Sequence, residues 1–411
     1  MKKLLLHKIT QPFQAQIQLP ASKSESNRAL ILNALAGGTG SLSNLSEARD
    51  TQTMQRLLQR DEPIADVLDA GTTMRFLTAY YATANRQKVM TGTPRMQERP
   101  IGILVEALRE LGARITYQNK EGYPPLQLEG FSYAGAKDLT MRGDVSSQFI
   151  SAILMIAPTL PEGLTLHLTG QLGSIPYIEM TIQQMRQFGA DVTADWENRQ
   201  IQVAAQPYHS SDYAVESDWS AASYWYSLVA LGPEGSEAEL LGLKENSLQG
   251  DSAIIAIMEQ LGVKSTYTGR GFLLTQIPAQ QSFSWDFTHC PDLAQTIAVI
   301  AAVKGIPAEF TGIESLKVKE TDRVLAIQQE LQKFDANLVE EEANTRYRIV
   351  TNELTSWDRP GTSIHTYEDH RMAMAFAPLA MRTNLEIDDA SVVVKSYPHF
   401  WEDLGKIVTI L

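Results

Sequence analysis

Lys23-Ser24-Glu25-Ser26-Asn27-Arg28 places two cations, two hydroxyls and an amide within six residues. Lys and Arg supply charge while Ser and Asn supply neutral hydrogen bonds, the donor set that a small phosphorylated or carboxylated molecule needs. The same stretch also reads as a solvated helix start with Ser as its N-cap. Six more cations stand in polar or glycine-bearing settings: Arg75, Arg99, Lys319, Arg323, Arg371 and Lys395. They are spread over nearly the whole chain, so a site built from them draws on both halves of the sequence and is expected between domains, where small-molecule clefts are common. The chain carries a net charge of -13. Cations grouped in an acidic protein point to a local anionic ligand, since nucleic-acid binding calls for a basic face or domain.

Each remaining segment has a chemical and a plain structural reading. Asp69-Ala70-Gly71-Thr72-Thr73-Met74-Arg75 leads into a helix predicted over Met74 to Ala82. A small-residue loop before a helix exposes backbone N–H groups at the positive end of the dipole and suits an anion. Arg99 stands just before Pro100, which can start the next helix, and otherwise reads as a loop arginine in surface ion pairs. Ser146, Ser147 and Gln148 head an apolar helix over Phe149 to Ile156; capping accounts for one serine, not for all three residues. In Lys317-Val318-Lys319-Glu320-Thr321-Asp322-Arg323, Lys319 and Arg323 are four apart and on a helix would share a face with Glu320 and Asp322 beside it. Asp292 is either the N-cap of the apolar helix that follows or a reactive carboxylate. His370, beside Asp369, is a base or a structural hydrogen-bond partner.

These residues must be positioned by a repeating framework. A helix-like stretch ending in Gly and followed by an alternating strand occurs at Gly112, Gly189 and Gly262, and again with Asp335 in place of Gly, at spacings of 77, 73 and 73 residues. Gly just past a helix end fits a left-handed C-cap. Four copies argue for a duplicated α/β unit, too small to be a domain alone. At 411 residues and 44% apolar content the chain accommodates two domains of about three units each. The crossings between them are expected near Leu19-Pro20-Ala21 and within Tyr213 to Ser220.

The single cysteine, Cys290, excludes an intrachain disulfide and suits a reducing cytoplasm. No run reaches the ~20 apolar residues of a membrane span, and three leucines after Met-Lys-Lys are too few for a signal peptide. The seven His and one Cys show no metal-ligand spacing. P-loop, GxSxG and dinucleotide fingerprints are absent.

Taken in order, the segments resemble the 5-enolpyruvylshikimate-3-phosphate synthase family of enolpyruvyl transferases, over Leu19 to about Leu404. The most specific parts are Lys23-Ser24-x-Ser26-Asn27-Arg28, Ala70-Gly71-Thr72-Thr73-Met74-Arg75, Arg95-Met96-x-Glu98-Arg99-Pro100, Val145-Ser146-Ser147-Gln148-Phe149, Val318-Lys319-Glu320-Thr321-Asp322-Arg323 and Asp369-His370-Arg371-Met372-Ala373-Met374. The resemblance implies a two-domain α/β fold, each domain an inside-out α/β barrel of about three βαβαββ-type repeats, closing on substrate. The domains would be 1–20 plus 216–411, carrying the catalytic and carboxylate-binding residues, and 21–215, carrying phosphate and shikimate 3-phosphate motifs. It implies transfer of the enolpyruvyl group of phosphoenolpyruvate to the 5-hydroxyl of shikimate 3-phosphate through a tetrahedral intermediate, with release of phosphate, by a cytoplasmic monomer without metal or organic cofactor.

By the same resemblance, Lys23, Gly71, Arg99, Gln148 and Lys395 surround the phosphate of phosphoenolpyruvate, and Arg323 and Arg371 its carboxylate. Ser24, Arg28, Ser146, Ser147, Ser174, Tyr177, Asp292 and Lys319 hold shikimate 3-phosphate. Asp292 is the base for the 5-hydroxyl and Glu320 the leading candidate to protonate the methylene carbon, with Lys319 a second candidate in that proton traffic and Lys23 also in the catalytic set. Three departures stand out. Leu57 to Leu68 is shorter than relatives usually carry. Asp69 replaces a usual Asn, where it weakens phosphoenolpyruvate binding or caps the helix. Ile175 and Ser315 also differ from common family residues. Two alternatives are a binding protein that has lost the chemistry and the sister transferase acting on UDP-N-acetylglucosamine; the latter usually carries a reactive loop cysteine and a Lys-Asn pair, where this chain has Lys23-Ser24 and Cys290.

Overall fold

The computed structural model describes residues 2–144 and 146–411; Met1, and Val145 of the serine-rich motif, lie outside the described residues. The chain forms two compact units, Met1–Ala21 with Glu216–Leu411, and Ser22–Val215. Ala21 falls in the first unit, one residue beyond the expected boundary, because its backbone bridges antiparallel to Ser217.

The four repeated anchors occupy one position in one motif. Helix Gly102–Leu111 ends on Gly112 at φ 113°, followed by strand Ala113–Tyr117. Helix Ile175–Gln187 reaches Gly189 at φ 88° before strand Val192–Asp195. Helix Ile254–Leu261 ends on Gly262 at φ 101°, and helix Arg323–Gln332 is followed by Asp335 at φ 56°. A Cβ at Gly112 would stand 2.0 Å from the Ser132 carbonyl oxygen, so this turn admits only glycine. Asp tolerates the left-handed region better than most residues, which is how the fourth copy survives without Gly.

Each anchor belongs to a four-stranded sheet with the same strand order. In the second unit, Ile64–Asp66 pairs parallel with Lys88–Thr91, next to Leu126–Phe131 and then Ala113–Tyr117. Asp138–Arg142, Leu164–Thr169, Gln200–Val203 and Val192–Asp195 repeat the order. In the first unit, one such sheet starts with Gln14–Gln18 beside Glu237–Leu241 and another with Phe283–Asp286 beside Ala308–Thr311. The third copy is abbreviated in both units: Leu4–Leu6, Leu385–Ile387 and Thr362–Ile364 form three strands, and Leu42–Ser43 with Tyr213–Ala214 only two. Among the described residues no sheet closes on itself.

Helices lie inside these sheets. Trp219–Leu231, Ala294–Lys304 and His370–Phe376 are buried on almost every side, as helices without a polar face must be. The strands alternate instead: Leu139 and Met141 point inward while Asp138, Thr140 and Arg142 face solvent. The short Leu57–Leu68 segment still holds strand Ile64–Asp66, so its sheet keeps four strands. No helix among the described residues is long and apolar enough to cross a membrane.

Candidate active site

In the unit Ser22–Val215, the basic motif opens helix Lys23–Leu35, whose N-cap is Ser22, accepting from the Glu25 N–H at 3.4 Å. The motif is largely buried rather than solvated. Lys23 Nζ lies 3.0 Å from Asp50 Oδ2. Arg28, 2% exposed, donates to Thr181 Oγ1 at 2.7 Å, the Ser24 carbonyl at 2.8 Å, and Ser151 Oγ and the Tyr177 carbonyl at 3.3 Å each. Its guanidinium also faces the rings of Phe76 and Tyr177. Burial among these neutral partners draws its pKa down to about 10, although Tyr177, Glu25 and Tyr213 favour the charge.

Gly71 begins helix Gly71–Thr83, earlier than the predicted Met74. A Cβ at Gly71 would meet the Arg99 guanidinium nitrogens at 2.8 and 2.9 Å, so glycine lets that cation lie against the helix start. Arg75 points back over the same turn, donating to the Gly71 carbonyl at 3.2 Å and the Pro100 carbonyl at 2.9 Å. Arg99 is buried and follows the helix Pro94–Gln97, which Pro94 starts; Pro100 does not open the next helix, whose N-cap is Ile101. Ser146 caps helix Ser147–Ile156 by accepting from the Gln148 N–H, while Gln148 donates its side chain to Thr72 Oγ1 at 3.2 Å. Ser174 stands at the start of helix Ile175–Gln187 at φ 54° and makes no capping bond, with Tyr177 half-buried one turn on. Asp69 does not cap the helix after it: Ala70 holds that position, and Asp69 accepts from Arg49 through both oxygens at 2.9 Å.

The other unit gathers the remaining residues into one network. Asp292 is not a helix cap. Leu293 precedes helix Ala294–Lys304, and the Asp292 oxygens go to Arg323 Nη1 at 3.0 Å and Arg371 Nη2 at 2.8 Å. Burial favours its neutral acid, but Arg371, Lys319 and Arg323 outweigh both burial and repulsion from Glu320, and hold the carboxyl well below the usual carboxylate range. Arg323 gives each nitrogen to a different carboxylate: Nη1 to Asp292, Nη2 to Glu320 at 2.9 Å and Nε to Asp369 at 2.7 Å. Burial opposes its charge, yet Asp369, Glu320 and Asp292 together raise its pKa above the ordinary value. Glu320 meets Lys395 Nζ through its other oxygen at 3.0 Å.

Lys319 and Arg323 do not share a helix face. Lys319 ends the 3₁₀ turn Glu314–Val318 with extended backbone (φ -86°, ψ -150°), and Asp322 caps a new helix at Arg323 by accepting from the Leu325 N–H at 3.0 Å. The break turns Glu320 toward Arg323 from outside the helix. His370 is buried with Nδ1 3.6 Å from Asp369 Oδ1. Sequence reasoning missed Asp50, Asp369 as the partner of Arg323, and the group Ser220, Tyr224 and Asp251 around Arg371. The dense run Asp369-His370-Arg371 could have flagged the second; nothing local flags the others.

Comparison with known proteins gives consistent likenesses. The family described as EPSP synthase (3-phosphoshikimate 1-carboxyvinyltransferase) matches residues 7–60 and 59–404, the two stretches meeting at the shortened segment. The chain is 48% identical over 402 residues to a 3-phosphoshikimate 1-carboxyvinyltransferase of Bacteroides fragilis, covering 96% of this chain and 95% of that protein. Proteins of the same name from Methanospirillum hungatei (35% over 421 residues, 94% of each chain) and Yersinia pestis (38% over 422 residues, 95% of each) are also similar. An EPSP synthase structure from Acinetobacter baumannii superposes with a TM-score of 0.77 over 100% of both chains at 19% identity, a likeness of fold.

Proposed function

The chain belongs to the EPSP synthase family, and from that premise we propose how its residues divide the work. Its activity is 3-phosphoshikimate 1-carboxyvinyl transfer, in which phosphoenolpyruvate gives its enolpyruvyl group to the 5-hydroxyl of shikimate 3-phosphate and inorganic phosphate leaves. In this reading the unit Met1–Ala21 with Glu216–Leu411 carries the proton chemistry and the carboxylate fork. Ser22–Val215 carries most of the phosphate and shikimate 3-phosphate contacts.

Arg323 and Arg371 take the carboxylate of phosphoenolpyruvate, since planar guanidinium forks suit carboxylates. Lys23, Gly71, Arg99, Gln148 and Lys395 take its phosphate. Ser24, Arg28, Ser146, Ser147, Ser174, Tyr177 and Lys319 hold shikimate 3-phosphate. Asp292 removes the 5-hydroxyl proton as that oxygen bonds to the central carbon of phosphoenolpyruvate, while Glu320, with Lys319 beside it in sequence, delivers a proton to the methylene carbon. The tetrahedral intermediate then loses the phosphate through carbon–oxygen cleavage, and the methyl group returns its proton, restoring the double bond.

The observation that carries this assignment is the set of ion pairs around Asp292 and Glu320. Arg323 and Arg371 hold Asp292, and Arg323 and Lys395 hold Glu320. The cations assigned to phosphoenolpyruvate are thus those that pair with the two proton-handling carboxylates. A ligand carboxylate or phosphate competes for the same N–H groups, and each contact it takes raises the proton affinity of the carboxylate it displaces. Donor binding thereby moves Asp292 toward the range a base needs.

Incubation with phosphoenolpyruvate and shikimate 3-phosphate, following inorganic phosphate, tests the activity. Release that depends on shikimate 3-phosphate is expected; release only with UDP-N-acetylglucosamine as acceptor, or binding without release, would overturn it. The same reading has the enzyme act as a cytoplasmic monomer, and size-exclusion chromatography checks the monomer.

A further inference from the structure

One buried carboxylate of the first unit has no part in the chemistry above. Asp251 lies in the 3₁₀ turn Gly250–Ala253 and is 2% exposed. Its Oδ2 accepts from Ser220 Oγ. Ser220 Oγ in turn accepts from Arg371 Nη2 at 3.3 Å, and that nitrogen also donates to Asp292 Oδ2 at 2.8 Å. Tyr224 receives Arg371 Nη1 at 3.3 Å. Ser220 and Tyr224 are four apart on helix Trp219–Leu231, so one helix face offers both hydroxyls to the guanidinium.

A serine hydroxyl has one proton and two lone pairs, and its proton rotates to suit its acceptor. Committing that proton to Asp251 leaves the lone pairs turned toward Arg371. A buried carboxylate is costly to keep without a compensating role. Burial, and then repulsion from Asp292, raise the pKa of Asp251 to about 6, while Arg371 and Ser220 pull against them.

We propose that Asp251 is a positioning residue for the transfer reaction, acting through the Ser220 hydroxyl to fix the Arg371 guanidinium in the orientation that serves both Asp292 and the donor's carboxylate. The inference rests on the assignment of Arg371 to that carboxylate.

Steady-state kinetics of Ser220→Ala, Asp251→Leu, the double variant and Ser220→Thr test it, with Arg371→Ala as reference and thermal melting as the control for folding. Removing either member of the chain is expected to raise KM for phosphoenolpyruvate about tenfold, the effect of one net hydrogen bond, with KM for shikimate 3-phosphate unchanged. The double variant is expected to be no worse than S220A, because both act along one chain. S220T, which keeps the hydroxyl, recovers most of the loss. Unchanged KM for phosphoenolpyruvate in S220A and D251L, while R371A raises it, overturns the inference and leaves the Arg371 assignment standing. So do additive effects, or a lower melting temperature with unchanged KM. If R371A itself leaves that KM unchanged, the Arg371 assignment has failed and the inference falls with it. Should D251L not fold, S220A removes the same link without adding bulk.

Discussion

Arg28 and Arg323 are equally buried, each 2% exposed, yet their acidities move in opposite directions. Arg28 sits among hydroxyls and carbonyls, and burial draws its pKa down to about 10. Arg323 sits among three carboxylates that more than offset the same burial. Depth is therefore not what separates the two arginines; the charge of the partners is. A cation held by neutral groups keeps its field for an incoming anion. A cation already paired releases a carboxylate when an anion displaces it. The first arrangement suits a binding surface, and the second suits a site where arrival of substrate must change protonation.

The largest expected effect follows from the second arrangement. Glu320→Gln should lower kcat by about 10²- to 10⁴-fold, the usual contribution of a positioned acid or base, with KM for both substrates changed far less. Steady-state kinetics checks this, and an unchanged kcat removes Glu320 from the proton traffic.

The next contrast puts the two arginines side by side. Arg323→Met leaves three carboxylates facing one another without their common cation and should cost about 3–5 kcal/mol of stability. Arg28→Met orphans only neutral acceptors and should cost about 1–3 kcal/mol. Urea denaturation of both variants measures the difference; equal losses would mean that burial alone sets the cost and would break the comparison.

A pH series sharpens it. Asp251 titrates at about 6 in the folded protein against an ordinary 3.8, so between those values the native state holds a proton that the unfolded chain has lost. The sign is that of a raised acid: its contribution is complete below the unfolded value and is lost as pH rises through about 6. Wild type should lose roughly 2 kcal/mol relative to Asp251→Asn between pH 4 and 7. Asp292 runs the other way, since its lowered pKa gives stability that disappears on acidification. Urea midpoints at both pH values decide; parallel curves would mean that Asp251 is not set apart by its surroundings.

Local signals made the frame readable. A glycine at a helix end and a change from helical to alternating periodicity are properties of a dozen adjacent residues, and they marked the four anchors at 112, 189, 262 and 335. The cation motifs were legible for the same reason. What stayed hidden was settled by tertiary placement or by competition between local rules. Spacing put Lys319 and Arg323 on one helix face, but Asp322 is a better N-cap than interior residue, so the helix starts after it. Asp292 had the right place for a cap and lost that role to cations 31 and 79 residues away. Asp251 reads in sequence as one more acid after a glycine; only the folded chain brings it to Ser220.

The smallest expected effect concerns Asp69. It precedes the Gly71 helix start, where a carboxylate would be expected to repel a phosphate. Its charge is met by both of its oxygens accepting from Arg49, in a pair with side chains 27% and 44% exposed. Exposed pairs contribute under about 1 kcal/mol and are screened by salt. Asp69→Asn should therefore shift stability by less than that, and should change KM for phosphoenolpyruvate by less than about threefold, because the charge it removes is already compensated. Arg49→Ala is the sharper probe. It removes the Arg49 pair from the carboxylate near the Gly71 helix start, so it should raise KM for phosphoenolpyruvate more than D69N lowers it, and high salt should shrink the difference. A drop of tenfold or more in KM for D69N would show the Asp69 charge reaching the phosphate despite Arg49, and the neutral setting of Arg28 would then not extend to the Gly71 helix start.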